Sequence, residues 1–173
     1  MSDDLDLYQD ILLSHTKRPR NRGTLDRPTH RGEGYNALCG DEVLLTLRVE
    51  GGKIAEVQST GPACAICTAS ASILTTHVQG HTPNEALALG AELREALKGG
   101  SGSTDEKKPS FSGDIEMETL AHVGQFPQRV KCAALAWETL AAALKNGAVS
   151  QPPPEPTLEE RIRFQAMQQS QQQ

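Results

Sequence analysis

The stretch Gly61-Pro-Ala-Cys64-Ala-Ile-Cys67-Thr-Ala-Ser-Ala-Ser72 decides how the rest of the chain is arranged. Gly61-Pro62 is a turn dipeptide that ends one element, and the small residues after it predict the start of a helix. Cys64 lies at this junction. The N-terminus of a helix presents unpaired N–H groups and partial positive charge, which favour a thiolate over a thiol.

The two cysteines of this stretch share one face of the predicted helix. At about 100° per residue, Cys64 and Cys67 lie about 60° apart, whereas Ile66 and Ile73 fall on roughly the opposite face and can reach the core. We therefore expect the sulfur-bearing face to be free for something other than packing.

An antiparallel hairpin is predicted immediately before this helix. The first strand, Glu42–Glu50, alternates apolar and polar residues, Gly51-Gly52 is a strong two-residue hairpin signal, and Lys53–Thr60 returns as the second strand. Tyr35–Leu38 is the predicted third strand. A loop from Gly34 to Asp41 would then carry Cys39-Gly-Asp41 into the hairpin.

Helices are predicted on either side of the hairpin, at Leu5–His15, Pro83–Lys98 and Ile115–His122, and from Pro127 onward. The last helix has a broad apolar stripe, made of Val130, Ala133, Ala134, Trp137, Leu140, Ala141 and Leu144. Cys132 lies about 140° from the centre of that stripe. The basic segment Lys17–Gly23 reads as a solvated turn and loop, or else as a docking site for an acidic partner.

Composition limits the partners and the compartment. The chain has 173 residues, 37% apolar and 3% aromatic, with a net charge of −5, so nothing favours binding to nucleic acid or to an anionic membrane. No apolar run is long enough to span a bilayer, and the N-terminus shows no export signal. We expect a reducing cytoplasm, where four cysteines are metal ligands or reactive thiols rather than disulfides.

Residues 1–147 are predicted to form one domain. Gln151–Pro156 is rich in proline and reads as an extended linker. The whole segment 148–173 is a Pro- and Gln-rich tail that we expect to be disordered or partly helical.

Three parts of the sequence carry thiols that can meet at one end of the sheet: Cys39 with Asp41 on a loop, Cys64 at the helix start, and Cys132 early in the last helix. Three thiolates and a carboxylate suit tetrahedral zinc, and iron–sulfur clusters accept similar ligands. Redox chemistry at the CxxC pair and inert buried cysteines are the alternatives.

Several separate motifs agree in order with one known family. Tyr35–Asp41, Cys64–Ser72 and Arg129–Trp137, together with Leu5–Gly23, resemble the SufU branch of the IscU/NifU-like iron–sulfur cluster assembly family. The resemblance covers about residues 4–147. The extended segment between Gly99 and Gly113, and Lys131 in place of a histidine before the last cysteine, are similar to the SufU branch rather than to the IscU scaffold.

This resemblance implies an α+β fold with a three-stranded antiparallel sheet packed against helices, the SufE/NifU-like fold. It further implies Zn²⁺ held by Cys39, Asp41, Cys64 and Cys132. The implied role is sulfurtransferase-like: Cys39 accepts persulfide sulfur from a PLP-dependent, SufS-like cysteine desulfurase and passes it toward downstream scaffold proteins of a SUF system. A scaffold for a [2Fe–2S] cluster is the first alternative, and a zinc-stapled, non-catalytic adaptor is the second.

The chain departs from the family pattern at Cys67, where the family has serine. Cys67 can displace Asp41, act as a resolving thiol, or have no metal role. Lys131 and Arg129 are possible additional site residues, because a nearby cation steadies a thiolate. The remaining candidates, His77, His81 and His122, are expected to be surface or capping residues rather than ligands.

Overall fold

A three-stranded antiparallel sheet lies at the centre of the fold, in the order β1-β2-β3. The computed structural model describes residues 2–99, 109–145 and 158–170. The strands are β1 (His30–Asn36), β2 (Asp41–Glu50) and β3 (Lys53–Thr60). The helices are α1 (Ser2–Lys17), α2 (Ala65–Val78), α3 (Pro83–Gly99), α4 (Ile115–His122), α5 (Val130–Lys145) and α6 (Leu158–Ser170), with a 3₁₀ turn at Val123–Gln125. The predicted α+β class is confirmed.

The hairpin forms where the sequence predicts it. Gly51 and Gly52 have φ values of 59° and 76°, which only glycine adopts without strain, and they close the turn between the two strands. The register pairs Glu50 with Lys53 and Leu47 with Val57, with an irregularity next to Arg48.

The third strand is displaced from its predicted position at Tyr35–Leu38. β1 runs from His30 to Asn36, and its register ends with Asn36 opposite Asp41. The loop entering the hairpin is therefore only residues 37–40, rather than Gly34–Asp41. Gly32 and Gly34 resemble loop residues in the sequence, but here they let helix α5 lie directly against the strand. A Cβ on Gly32 would come within 2.8 Å of the Thr139 carbonyl oxygen.

Helix α5 is buried on several sides, because it packs on β1 and β2 and also on α2 and α3. Trp137 is 1% exposed, and its Nε1 donates to Ser70 Oγ at 3.2 Å. The helix begins at Val130 rather than at Pro127, which lies in a preceding turn. Cys132 lies off the predicted apolar stripe but is fully buried. Helical periodicity identifies only one covered face of a helix, whereas α5 is covered on several.

The basic segment after α1 is bound to the domain. The backbone N–H of Arg20 donates to Ser72 Oγ at 2.8 Å, and Asn21 Nδ2 donates to Thr75 Oγ1 at 3.1 Å. A guanidinium nitrogen of Arg22 donates to the Gly61 carbonyl at 3.1 Å. The segment is therefore a turn and loop held against α2 and its preceding turn, and the side chains of Lys17, Arg18, Asn21 and Arg22 are exposed to solvent, as predicted.

The predicted domain boundary at residue 147 and the linker Gln151–Pro156 lie outside the described residues, as does most of the segment between Gly99 and Gly113. Within the tail, α6 is helical and has exposed apolar side chains at Leu158, Ile162 and Met167. Among the described helices, none combines the length and apolarity needed to cross a bilayer.

Candidate metal centre

Cys39 lies on a short turn that joins β1 to β2. The Gly40 N–H donates to the Asn36 carbonyl at 2.8 Å, and the Leu38 N–H donates to Asn36 Oδ1 at 3.2 Å. Gly40 has a φ of 70°, so this tight reversal depends on glycine. The turn leaves Cys39 exposed to solvent.

Asp41, the first residue of β2, is a buried carboxylate that connects the sheet to helix α2. It is 1% exposed, and its Oδ1 accepts the Cys64 N–H at 2.7 Å. Its Oδ2 lies 3.7 Å from Cys64 Sγ. A single carboxylate therefore fixes the backbone of Cys64 and faces its sulfur.

Cys64 is the N-cap of α2, as the sequence predicts. It has an extended backbone, and its Sγ accepts the Cys67 N–H at 3.4 Å. A helix N-terminus favours negative charge, so the helix dipole is compatible with a metal-bound thiolate at this position.

Cys132 brings the third thiol to the same place from the first turn of α5. It is fully buried, and its Sγ lies 3.7 Å from Cys39 Sγ. Burial raises the pKa of Cys132, and the neighbouring Cys64 and Cys39 add to this rise. Without a cation beside it, this thiol keeps its proton at neutral pH, and a bound metal ion is the kind of charge that removes it.

Three of the four predicted donors lie close enough to share one metal ion: one ligand atom from each of Cys39, Asp41 and Cys132 lies within 4.8 Å of the others. Cys64 is not in this group of three, and it adjoins the group through Asp41. Two Zn–S bonds of about 2.3 Å at a tetrahedral angle place their sulfurs about 3.8 Å apart, and a sulfur–oxygen pair about 3.6 Å apart. The Cys39–Cys132 sulfur separation of 3.7 Å and the Cys64–Asp41 sulfur–oxygen separation of 3.7 Å both match these values. The residues present thus fit a zinc ion, and three sulfurs with one oxygen also suit cluster iron.

Cys67 is not in the group of three donors that lie within 4.8 Å of one another. It is fully buried in the hydrophobic core, and burial raises its pKa to about 12. Asp41, Cys64 and Cys39 are near enough to contribute to this raised pKa. The expectation that the whole sulfur-bearing face is free of packing is therefore wrong for Cys67. Helix α2 contacts α1, α5 and β3, so more than one of its faces is covered. Ile73 is fully buried as expected, whereas Ile66 is only partly buried.

The possible additional residues lie at the edge of the centre. Arg129 and Lys131 are both exposed and flank the first turn of α5, next to Cys132. Two of the histidines considered above contact acidic side chains outside the group of donors. His77 Nε2 lies 2.8 Å from Asp114 Oδ2, and His81 Nδ1 lies 2.8 Å from Glu85 Oε2.

Two buried polar residues were missed by the sequence interpretation. His15 is 2% exposed, and its Nδ1 lies 2.7 Å from Ser72 Oγ, because α1 packs closely on α2. Asn36 is 8% exposed and supports the turn that carries Cys39. An asparagine three residues before a Cys-Gly pair is a signal for such a turn, since its side chain can accept a backbone N–H two residues on.

Comparisons with known proteins point to one family. Residues 7–115 match the family model of the NifU-like N terminal domain. The chain is 37% identical to the iron–sulfur cluster assembly scaffold protein IscU of Streptococcus pyogenes serotype M1, covering 84% of this chain and 87% of that protein. It is 32% identical to the zinc-dependent sulfurtransferase SufU of Bacillus subtilis (strain 168), covering 78% and 86% of the two chains.

A solved structure supports the same relationship. The chain is 31% identical, with a TM-score of 0.69, to an iron–sulfur cluster assembly scaffold protein described for the SUF system of Fervidobacterium islandicum AW-1; the match covers 78% of this chain and 94% of that one. The chain therefore belongs to the IscU/SufU family of iron–sulfur cluster assembly proteins, which share the NifU-like N-terminal domain.

Proposed function

We propose that this chain is a zinc-dependent sulfur acceptor that works with a PLP-dependent cysteine desulfurase of a SUF system. The observation that carries the proposal is the unequal exposure of the clustered thiols: Cys39 is exposed, Cys64 is half-buried and Cys132 is buried. One sulfur can therefore meet a partner while the other two stay in place. The B. subtilis relative, which is described as a zinc-dependent sulfurtransferase, supports this reading.

The proposed ligands are Cys39, Asp41, Cys64 and Cys132. Zinc bound there would keep the thiolates deprotonated at neutral pH and hold a turn to two helices. Asp41 supplies an oxygen ligand and holds the Cys64 backbone through the 2.7 Å hydrogen bond. Cys67 stays a protonated core thiol and takes no part.

Cys39 is the proposed acceptor. Its thiolate attacks the outer sulfur of a cysteine persulfide on the desulfurase, so that a new S–S bond forms at Cys39 and the old S–S bond breaks. The bonding electron pair leaves on the desulfurase cysteine as a thiolate. Neutral sulfur moves between two thiolates, and no external oxidant or reductant is consumed. PLP belongs to the desulfurase, and downstream SUF scaffold proteins are the proposed recipients of the sulfur.

Desulfurase turnover tests this proposal. Alanine formation from cysteine should rise several-fold when the zinc-loaded chain is added to the desulfurase of its own SUF system. The Cys39→Ser variant, which keeps the size of the side chain, should give no increase. Equal stimulation by Cys39→Ser would show that Cys39 is not the acceptor. No stimulation by the native chain would instead favour a non-catalytic, zinc-stapled adaptor.

A [2Fe–2S] scaffold is the second candidate function. The same three sulfurs and one oxygen suit cluster iron, and the S. pyogenes relative is described as a scaffold protein. Metal content separates the two candidates. We expect about one zinc per chain in protein purified without added metal. Anaerobic reconstitution of a cluster that transfers intact to an apo-ferredoxin would favour the scaffold instead.

A further inference from the structure

We propose that Asn36 is a positioning residue of the metal centre, whose side-chain amide donates an N–H···S hydrogen bond to a thiolate of the Cys39–Cys132 pair when the site holds a metal. This proposal rests on the proposed function only in requiring that a thiol-binding metal occupies the centre.

The first observation is a buried donor that is not used. Asn36 is 8% exposed, and its Nδ2 is buried without an acceptor among the residues that the structure describes. Buried polar groups are nearly always hydrogen-bonded, since an unsatisfied donor costs free energy. An unsatisfied donor beside a metal centre therefore indicates a hydrogen-bond acceptor that becomes available when the metal binds.

The second observation is the direction in which Asn36 faces. Alternate residues of a strand share one face, so Asn36 lies on the same side of β1 as Gly32 and Gly34. A Cβ on Gly32 would meet Thr139 and Ala143 of α5, whereas one on Gly34 would meet Thr139 and Leu135.

The contacts thus move toward the start of α5 as the strand advances. Two residues of strand span about 6.8 Å, which is a little more than one helical turn of about 5.4 Å. The next inward residue, Asn36, therefore faces the first turn of α5, where Cys132 lies.

The third observation fixes the orientation of the amide. Asn36 Oδ1 accepts the Leu38 N–H at 3.2 Å. Rotating the amide by 180° would set its NH₂ group against that N–H, donor to donor. The carbonyl oxygen is therefore bound to the turn, and Nδ2 is directed away from it.

Sulfur is the acceptor that this environment supplies. The Sγ atoms of Cys39 and Cys132 lie 3.7 Å apart at this end of α5. A neutral thiol is a weak acceptor, whereas a thiolate is a charged and much better one. In the part of the chain that the structure describes, no sulfur accepts a hydrogen bond from Nδ2. Metal binding would therefore have to bring a sulfur of the Cys39–Cys132 pair into reach of Nδ2 as well as convert it to a thiolate. Hydrogen bonds of this kind orient metal ligands and tune their reactivity.

The direct test is NMR of the ¹⁵N-labelled full chain with ¹¹³Cd in place of zinc. We expect a scalar ¹H–¹¹³Cd correlation to a side-chain N–H proton of Asn36, transmitted through the hydrogen bond and the sulfur. The side-chain amides of Asn21 and Asn84 are internal references and should show no such correlation. A merely structural role in the turn cannot produce this signal.

Two outcomes would overturn the proposal in distinguishable ways. If ¹¹³Cd binds with a thiolate-type chemical shift while the Asn36 amide shows no coupling and exchanges with water, a buried water satisfies Nδ2 and the metal centre still stands. If the chain binds no Cd at all, the metal centre fails and the role of Asn36 fails with it.

A substitution gives a second readout. Asn36→Ser keeps an oxygen near the Leu38 N–H but is too short to donate across to a sulfur. We expect its zinc affinity, measured by competition with a chelator, to fall by about 10- to 100-fold. Asn84→Ser, at an exposed asparagine of α3, is the control and should bind zinc like the native chain. Native affinity in Asn36→Ser would overturn the proposal.

Discussion

The Sγ atoms of Cys39 and Cys132 lie 3.7 Å apart although 93 residues separate them in the sequence. One sulfur is carried by an exposed turn and the other by a buried helix. Asp41 has a carboxylate oxygen within 4.8 Å of both sulfurs and accepts the Cys64 N–H, so in the proposed centre one ligand is accessible and the others are held by the fold.

The first prediction concerns the atoms bound to zinc. X-ray absorption of the zinc-loaded chain should give three sulfurs near 2.3 Å and one oxygen near 2.0–2.2 Å, approximately as in known zinc sites. Asp41→Ala should lose the protein oxygen, and Cys67→Ser, the matched control at a buried thiol, should leave the spectrum unchanged. Four sulfurs in the native chain would move Asp41 out of the ligand set and bring Cys67 into it.

Removing the metal should loosen the domain, because zinc would join a turn to two helices. A ligand present at about 1,000 times its Kd stabilises the native state by about 4 kcal/mol, which corresponds to roughly 10 °C in Tm for a chain of this size. We expect a chelator to lower Tm by about that amount, as followed by circular dichroism. Cys67→Ser should show the same dependence on zinc as the native chain. An unchanged melting curve after metal removal would argue against a shared site.

Gly34 should not tolerate a side chain. A Cβ at this position would overlap Thr139 Oγ1 and come within 3.1 Å of Leu135. We expect Gly34→Ala to lower the free energy of unfolding by about 1–3 kcal/mol, as overpacking does in cores. Glu33→Ala, on the exposed face of the same strand, is the control. Thr139→Ala should recover part of the loss, and purely additive effects would contradict the close contact.

His15 should make stability depend on pH. Burial lowers its pKa below the ordinary value of 6.5, although Glu116, 3.3 Å away, opposes this, and Arg20 and His77 add to the lowering. The unfolded chain therefore binds more protons between the folded pKa and 6.5, so stability falls as pH drops below about 6.5.

Urea unfolding in matched zinc concentrations tests this dependence. His15→Gln should flatten the fall in stability below about pH 6.5, whereas His81→Gln, at an exposed histidine, should not. An identical pH profile in His15→Gln and the native chain would contradict the role of His15.

Local signals in the sequence predict much of this fold. Gly51-Gly52 sets the hairpin because a two-residue turn needs positive φ, and Gly61-Pro62 sets the start of α2 with Cys64 at its N-cap. These features depend only on neighbouring residues. The order of the predicted elements indicated that Cys39, Cys64 and Cys132 can meet at one end of the sheet, and the family resemblance added zinc and its expected ligand set.

The features that were missed depend on distant parts of the chain. The sequence predicts β1 too late in the chain because Gly32 and Gly34 weaken a strand locally. Both glycines are explained by a distant residue, Thr139 of α5, which packs against them. The burial of Cys67 and Cys132 was missed for a related reason. Periodicity identifies one apolar face of a helix, whereas α2 and α5 are each covered by neighbours on several sides.

Mass spectrometry after the reaction can detect directly whether Cys39 accepts sulfur. The zinc-loaded chain is incubated with its desulfurase and cysteine, free thiols are blocked, and peptides are mapped for an added sulfur atom. We predict an added sulfur, about 32 Da, on the peptide that contains Cys39, and none on the peptides of Cys67 or Cys132, because burial shields both of these thiols from a partner. A persulfide that forms on another cysteine, or on none while the desulfurase is active, would show that Cys39 is not the acceptor.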